Sequence, residues 1–240
     1  MIIAIDGPAG AGKSTTARAV AKHFGFAYID TGAMYRAVAL ATYEAGYHPT
    51  QDVEPIIDLA RELPIDLRDN GQSTFIGERD VSGLIRTAEI GQLTSQISSI
   101  PAIREIVVEQ QRRLAREGEH ETGGAVLEGR DIQTVVFPDA EVKIFLTANA
   151  RTRALRRHAE WCAKGETVEV EHTERELVAR DERDSTRENS PLQAATDATL
   201  VATDNLTCEE VVEQIAQIVR EKQLTANEFA AGKDYRLEPT

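Results

Sequence analysis

The stretch Gly7-Pro8-Ala9-Gly10-Ala11-Gly12-Lys13-Ser14 decides the fold. It follows a short apolar run at 2–5 and precedes a segment, 13–24, in which Ala17, Val20, Ala21 and Phe24 recur at three- and four-residue spacing. A strand, a glycine-rich turn ending in Gly-Lys-Ser and an amphipathic helix form the setting in which such an octet cradles phosphate. The glycines let the backbone wrap inward, so that its N–H groups and the helix N-terminus face an anion. Lys13 is expected to reach the outer phosphate oxygens of a nucleotide, and the Ser14 hydroxyl to face its Mg²⁺.

Outward from that turn the alternation continues. Tyr28-Ile29 leads into Asp30-Thr31-Gly32 and a helix from about 33 to 43. Apolar runs at 125–127, 142–146 and 199–202 follow, the last ahead of a helix over 209–222. Strands alternating with helices predict an α/β fold with a parallel sheet, a three-layer P-loop sandwich. The segment 48–90 breaks the pattern with a helical piece at 53–63 and β-like runs at 65–67 and 74–76. Asp69-Asn70-Gly71 between those runs is a hairpin signal. It is read as a small subdomain inserted into a core of 1–47 and 91–222. The stretch 151–187 is dense in charge, and the tail 223–240 has no clear core face.

Composition narrows the function. The chain has 240 residues, the size of one larger domain, and its 41% hydrophobic content suits a packed core. A net charge of −13 disfavours polymeric nucleic acid and anionic membranes as partners of the general surface, while leaving room for a local anion site. Cys162 and Cys208 lie far apart, which argues against a disulfide framework or a cysteine zinc site and for a reducing, cytoplasmic setting. The five histidines form no ligand-like pair. No apolar run approaches the roughly 18 residues of a membrane span, and the first residues lack the basic start of a signal peptide.

The cations are mostly arginine, 21 against 6 lysines, and eight of them fall within 151–187, at Arg151, Arg153, Arg156, Arg157, Arg175, Arg180, Arg183 and Arg187. Guanidinium is the planar, permanently charged fork suited to phosphate. Arg180, Arg183 and Arg187 share one face if their segment is helical. The bland reading is a solvated helix laced with ion pairs. The sharper one is a cationic lid that closes over a transferring phosphoryl group. A GTP switch would carry Asn-Lys-x-Asp late in the chain, and none is present. A DNA-tracking ATPase would need a broad basic surface. A small kinase with a second anion pocket remains.

Several further strings carry a resemblance: Asp30-Thr31-Gly32-Ala33-Met34-Tyr35-Arg36, Asp80-Val81-Ser82-Gly83-Leu84-Ile85-Arg86, Gly129-Arg130-Asp131, Thr134-Val135-Val136-Phe137-Pro138-Asp139-Ala140 and Arg180-Asp181-Glu182-Arg183-Asp184. With the octet they resemble the bacterial cytidylate kinases from residue 1 to about 222. The resemblance implies transfer of the γ-phosphoryl of MgATP to CMP or dCMP. It implies an ATP site over Gly7, Pro8, Ala9, Gly10, Ala11, Gly12, Lys13, Ser14 and Thr15, with Ser14 on the nucleotide's Mg²⁺. It brings Thr31, Tyr35 and Arg36 to the acceptor, Arg36 and Arg104 to the acceptor phosphate, and Ser95 near the cytosine. Gly129, Arg130 and Asp131 would sit by base and sugar, Arg180 and Asp184 by the pentose, and Arg187 beside base or phosphates. Arg153 and Arg157 would be lid arginines, acting with Lys13 in catalysis. The segment 48–90 corresponds to that family's enlarged acceptor domain, and the family is usually monomeric.

Two positions depart from the family pattern. Glu128 stands where it usually has aspartate, and Gln133 where it usually has glycine, a change expected to crowd the loop or demand another backbone angle. Two other readings keep the phosphate loop: a kinase for UMP, another nucleotide or a small metabolite, and a regulator that holds ATP without turnover.

Overall fold

Five consecutive buried residues, Ile2–Asp6, form β1; burial on both faces marks the interior strand of a covered parallel sheet. The computed structural model describes residues 1–163, 165 and 168–230, with side chains as far as 224. After β1 come α1 (Lys13–Phe24), β2 (Ala27–Asp30), α2 (Thr31–Glu44), α3 (Val53–Glu62), β3 (Ile65–Arg68), β4 (Ser73–Ile76) and β5 (Arg79–Asp80). A short turn at Leu84–Arg86 leads to α4 (Ala88–Ile97), α5 (Pro101–Thr122) and β6 (Ala125–Gly129). A π-helical turn, Ile132–Val136, precedes β7 (Val142–Thr147), α6 (Ala150–Ala163), α7 (Val170–Thr186), β8 (Thr199–Ala202) and α8 (Cys208–Ala230).

The main sheet has the order β2-β6-β1-β7-β8, parallel throughout. One apolar cluster packs α2, α3 and α5 against one face, through residues such as Met34, Ile56, Val107 and Leu127. A second covers the other face with α1 and α8, through Ala17, Val20, Ile144 and Ile215. This is the α/β sandwich of three layers that the alternation predicts. Helix α8 runs past its expected end at 222, and the 231–240 part of the expected tail lies outside the described residues.

Local chemistry sets the boundaries that matter for the site. Gly12, at φ 90°, precedes α1, a left-handed conformation that costs glycine little. Asp30 caps α2, its carboxylate accepting the Ala33 N–H at 2.9 Å. Strands β3, β4 and β5 make a separate antiparallel sheet. Its hairpin loop holds Asp69, Asn70 and Gly71 all at positive φ, the backbone the Asp-Asn-Gly signal calls for. The loop tip docks on the main sheet, where Asn70 Oδ1 accepts the Tyr28 N–H at 2.8 Å.

Candidate active site

The carboxyl ends of β1, β2 and β6 open into a cavity of about 610 Å³, the place where parallel α/β sheets bind ligands. The octet lines it from Ala9 to Ser14. Gly7 is forced by packing, since a Cβ there would lie 2.1 Å from the Leu146 carbonyl oxygen. Lys13 is buried and donates from Nζ to the Pro8 carbonyl at 2.7 Å. Burial, and next the Arg130 charge, hold its ammonium well below the ordinary lysine range. Beside it the buried Glu128 carboxyl is pushed up by burial, then by Asp30, and accepts the Tyr28 hydroxyl at 2.8 Å. Thr31 donates to the Glu128 carbonyl at 2.5 Å, which ties the start of α2 to the end of β6.

Ten cationic side chains and five carboxylates line this cavity, in a chain whose net charge is −13. The local field is therefore reversed. Arg36 donates to the Ile85 carbonyl at 2.9 Å, and burial, then Arg86, disfavour its charge. Arg180 is pushed down to about 10 by burial and then by Arg130. Arg130 donates to Asp184 at 3.0 Å; burial raises that carboxyl, but Arg130 and Arg180 pull it below its ordinary value. Deeper in, the buried Arg104 and Asp131 form an ion pair, with Arg187 3.8 Å from the same carboxylate and the Tyr35 ring 5.4 Å from the Arg104 guanidinium. Burial pushes the Tyr35 hydroxyl up to about 12. Arg104 Nε, Arg180 Nε and Arg187 Nη2 are buried without a hydrogen-bond acceptor, donors that an anionic or carbonyl-bearing ligand would satisfy.

Several expected site residues stand elsewhere or in other company. Arg153, expected among the arginines reaching the transferring phosphoryl, is buried behind the loop instead. It donates to the Ala9 and Ala148 carbonyls, both at 2.9 Å, and pairs with Asp181, whose other oxygen accepts the Ala9 N–H at 3.1 Å. Arg104, expected at the acceptor phosphate, has one Nη on Asp131 and the other on the Ser98 carbonyl at 3.0 Å. At the end of α4 the cavity wall is Thr94 and, just past the helix, Ser98, with Ser95 half-buried between them.

The charge-dense stretch divides along its helices. Arg156, Arg157, Arg180, Asp184 and Arg187 line the cavity, whereas Arg175 and Arg183 are exposed. Arg183 is exposed, outside the wall that Arg180 and Asp184 form, and the expected shared face does not exist, because α7 ends at Thr186 and Arg187 reaches the cavity from the extended residue that follows. Arg151 ties α6 to α7 through Glu171 and Glu174, at 3.0 and 3.2 Å.

Two residues carry more than the sequence reading assigned. Arg86 lines the cavity and reaches Asp30 at 3.3 Å, a pairing between residues 56 apart that no local pattern announces. Gln133 is fully buried and its backbone does not take the positive φ that would favour glycine, so the other backbone angle is not required. A larger, shallower groove of about 1240 Å³ runs along α5. Its arginines at 112, 113 and 116 are interleaved with Glu105, Glu109 and Glu117, and no phosphate loop opens into it.

A family model described as cytidylate kinase matches residues 3–221. The cytidylate kinase of Carboxydothermus hydrogenoformans is 48% identical over 224 residues, 92% of this chain and 98% of that protein. That of Geobacter sulfurreducens is 46% identical, covering 93% of this chain and 94% of its own. That of Limosilactobacillus reuteri is 44% identical, with 92% and 96% covered. Among solved structures, a shikimate kinase from Bacteroides thetaiotaomicron aligns with 92% of this chain and 98% of its own at a TM-score of 0.48 and 11% identity, too distant to bear on the acceptor.

Proposed function

The chain belongs to the cytidylate kinase family, and from that premise we propose that it transfers the γ-phosphoryl group of ATP to CMP and dCMP, releasing ADP. The observation that carries this reading is the reversed charge of one cavity that holds both the phosphate loop and a wall of arginines. A regulator that only held ATP would need the first and not the second.

The attacking group is an acceptor phosphate oxygen, already anionic, so a general base has little to do. Lys13 and the loop N–H groups take the ATP phosphates. Arg157, with Arg36, Arg130 and Arg180, neutralises charge around the transferring group. Arg153 acts as a positioning residue, holding the crest of the loop through the Ala9 carbonyl. For the acceptor we assign Thr31 and Arg36 to the phosphate end, Gly129 and Arg130 to the junction of base and sugar, and Asp184 with Arg180 to the pentose. Tyr35, Arg104, Asp131 and Arg187 take the base, along with the hydroxyls of Thr94, Ser95 and Ser98. A carboxylate at Asp131 accepts from the cytosine N4 amine, and arginine donors satisfy N3 and O2. Uracil would turn a carbonyl toward that carboxylate, a mismatch that a closed site rejects strongly.

Magnesium fits this site. The Ser14 hydroxyl and the Asp30 and Glu128 carboxyls line the same cavity, a hard-oxygen set suited to Mg²⁺. Among the described residues no group of three histidine, cysteine or acidic side chains would hold a metal alone, so the ion would arrive with the nucleotide and lend charge to its phosphates. The segments 48–90 and 151–187 are proposed as acceptor subdomain and lid on the 1–222 kinase domain, with 223–240 as a tail. A monomer in the cytoplasm is the proposed setting; among the described residues no helix is long and apolar enough to cross a membrane.

A coupled ADP-release assay with MgATP against CMP, dCMP, UMP, AMP and GMP tests the reading. Fast turnover with CMP and dCMP, and turnover with UMP lower by about 10²-fold in kcat/KM, is expected. A preference for another acceptor would sink the base assignment, and ATP binding without turnover would sink the transfer itself.

A further inference from the structure

Gln133 reaches three parts of the molecule at once. Its backbone N–H donates to Asp6 Oδ2 at 2.9 Å, one residue before the phosphate loop begins. Its side-chain Nε2 donates to the Ile144 carbonyl of β7 at 3.3 Å, and its Oε1 accepts the Ala195 N–H at 3.1 Å. Ala195 belongs to the return from α7 to β8, residues 187–198, the segment that begins with Arg187. That return is folded on itself, with Arg187 Nε on the Ser190 carbonyl at 2.5 Å and the Leu192 N–H on the Asp184 carbonyl at 2.8 Å. An outer tie to the sheet is the Lys143–Asp197 ion pair at 2.8 Å, with Asp197 largely in solvent. The inner tie is Gln133, fully buried.

We propose that Gln133 is a positioning residue that sets the acceptor-side Arg187 at a fixed distance from the ATP-side phosphate loop. A buried amide must be hydrogen-bonded to be tolerated, and both ends of this one are bonded to other elements. This one spends its donor on the sheet and its acceptor on the lid return, while its backbone holds the foot of the loop. A glycine at this position would keep the backbone bond to Asp6 and lose both others. Arg187 would then be held by its contacts near Asp131 and by the solvent-facing Lys143–Asp197 pair, and it would cost more to order when the acceptor binds.

The inference rests on the proposed CMP site, so the test has one arm that does not depend on turnover. In the full chain, Gln133→Met keeps most of the buried volume without the two side-chain bonds, and Gln133→Gly removes the volume as well. Hydrogen exchange across 187–198 should rise about tenfold in both variants, with exchange in β1 and α1 unchanged, as expected for loss of one neutral hydrogen bond to that segment. The CMP KM should rise by a similar factor, about tenfold, while the ATP KM and kcat change less than twofold. Unchanged exchange in 187–198 would overturn the tether. Faster exchange with an unmoved CMP KM would overturn its role in positioning, as would a parallel loss of kcat and both KM values. If the unsubstituted chain did not phosphorylate CMP, the functional reading would fall, and the exchange arm would still decide whether Gln133 holds the segment.

Discussion

The two halves of the cavity are built from different material. The half proposed for ATP is the octet 7–14, all glycine, alanine and proline except for Lys13 and Ser14. The half proposed for the acceptor is a wall of side chains drawn from α2, the Leu84–Arg86 turn, α4, α5, the end of β6, α6 and α7. Its ion pairs join residues 27 apart, Arg104 with Asp131, and 54 apart, Arg130 with Asp184. A site made of backbone is set by local geometry and is present before ligand arrives. A site made of long charged side chains depends on partners supplied by the rest of the fold.

The comparison breaks most directly at Lys13. Lys13→Ala should lower kcat by about 10³-fold in the coupled assay, because no other side chain of the loop brings charge to the outer phosphates. A loss confined to ATP KM would show that the backbone alone carries transfer. On the acceptor side, Asp131→Asn leaves the buried Arg104 without its counter-charge and removes the acceptor for a base amine. The expected result is a fall of about 10²- to 10³-fold in kcat/KM for CMP, with ATP affinity measured by titration little changed. Equal losses for both substrates would show that the halves are not separable.

A third measurement sharpens the boundary between the halves, where Asp6 sits. Burial raises its carboxyl from 3.8 to about 6, and the Gln133 N–H only partly offsets that. A carboxyl raised in the folded state keeps a proton that the unfolded chain has already released. It therefore costs stability above about pH 6, and the cost disappears as the pH falls toward 4. The shift corresponds to at most about 3 kcal/mol. Asp6→Asn should be the more stable chain at pH 7–8, with the difference in unfolding free energy from the unsubstituted chain shrinking between pH 6 and 4. A difference that does not move with pH would remove the titration from the account. The smallest effect is expected far from both phosphates. Gly71→Ala places a Cβ at φ 71° and 2.5 Å from the Tyr28 ring, which should cost about 1–2 kcal/mol in urea unfolding while leaving both KM values within twofold.

What the sequence made legible follows the same division. The octet, the helix behind it and the strand at 199–202 are where local pattern placed them, since strand, turn and amphipathic helix carry their own signals. Asp69-Asn70-Gly71 announced its hairpin for the same reason. Helix α7 was visible mainly as charge, its helix only a condition, because it buries little beyond Thr173 and Leu177, too few for a periodic apolar stripe. Individual arginine roles were harder still. Nothing near Arg153 in the chain says that Ala9 and Asp181 will claim its donors, and nothing near Arg86 says that Asp30 will meet it.

The docking of the hairpin tip has a consequence for self-association. Strand β2 is an outer strand of the main sheet, and its Tyr28 N–H points away from the ladder, where another chain could pair with it. Asn70 supplies the acceptor that a foreign strand would otherwise provide, and Gly71 lies flat on the Tyr28 ring and carbonyl. The hairpin thus guards an open edge of the main sheet. Swinging it away as a rigid piece would expose that edge, so the molecule stays protected against strand addition as long as the tip remains seated.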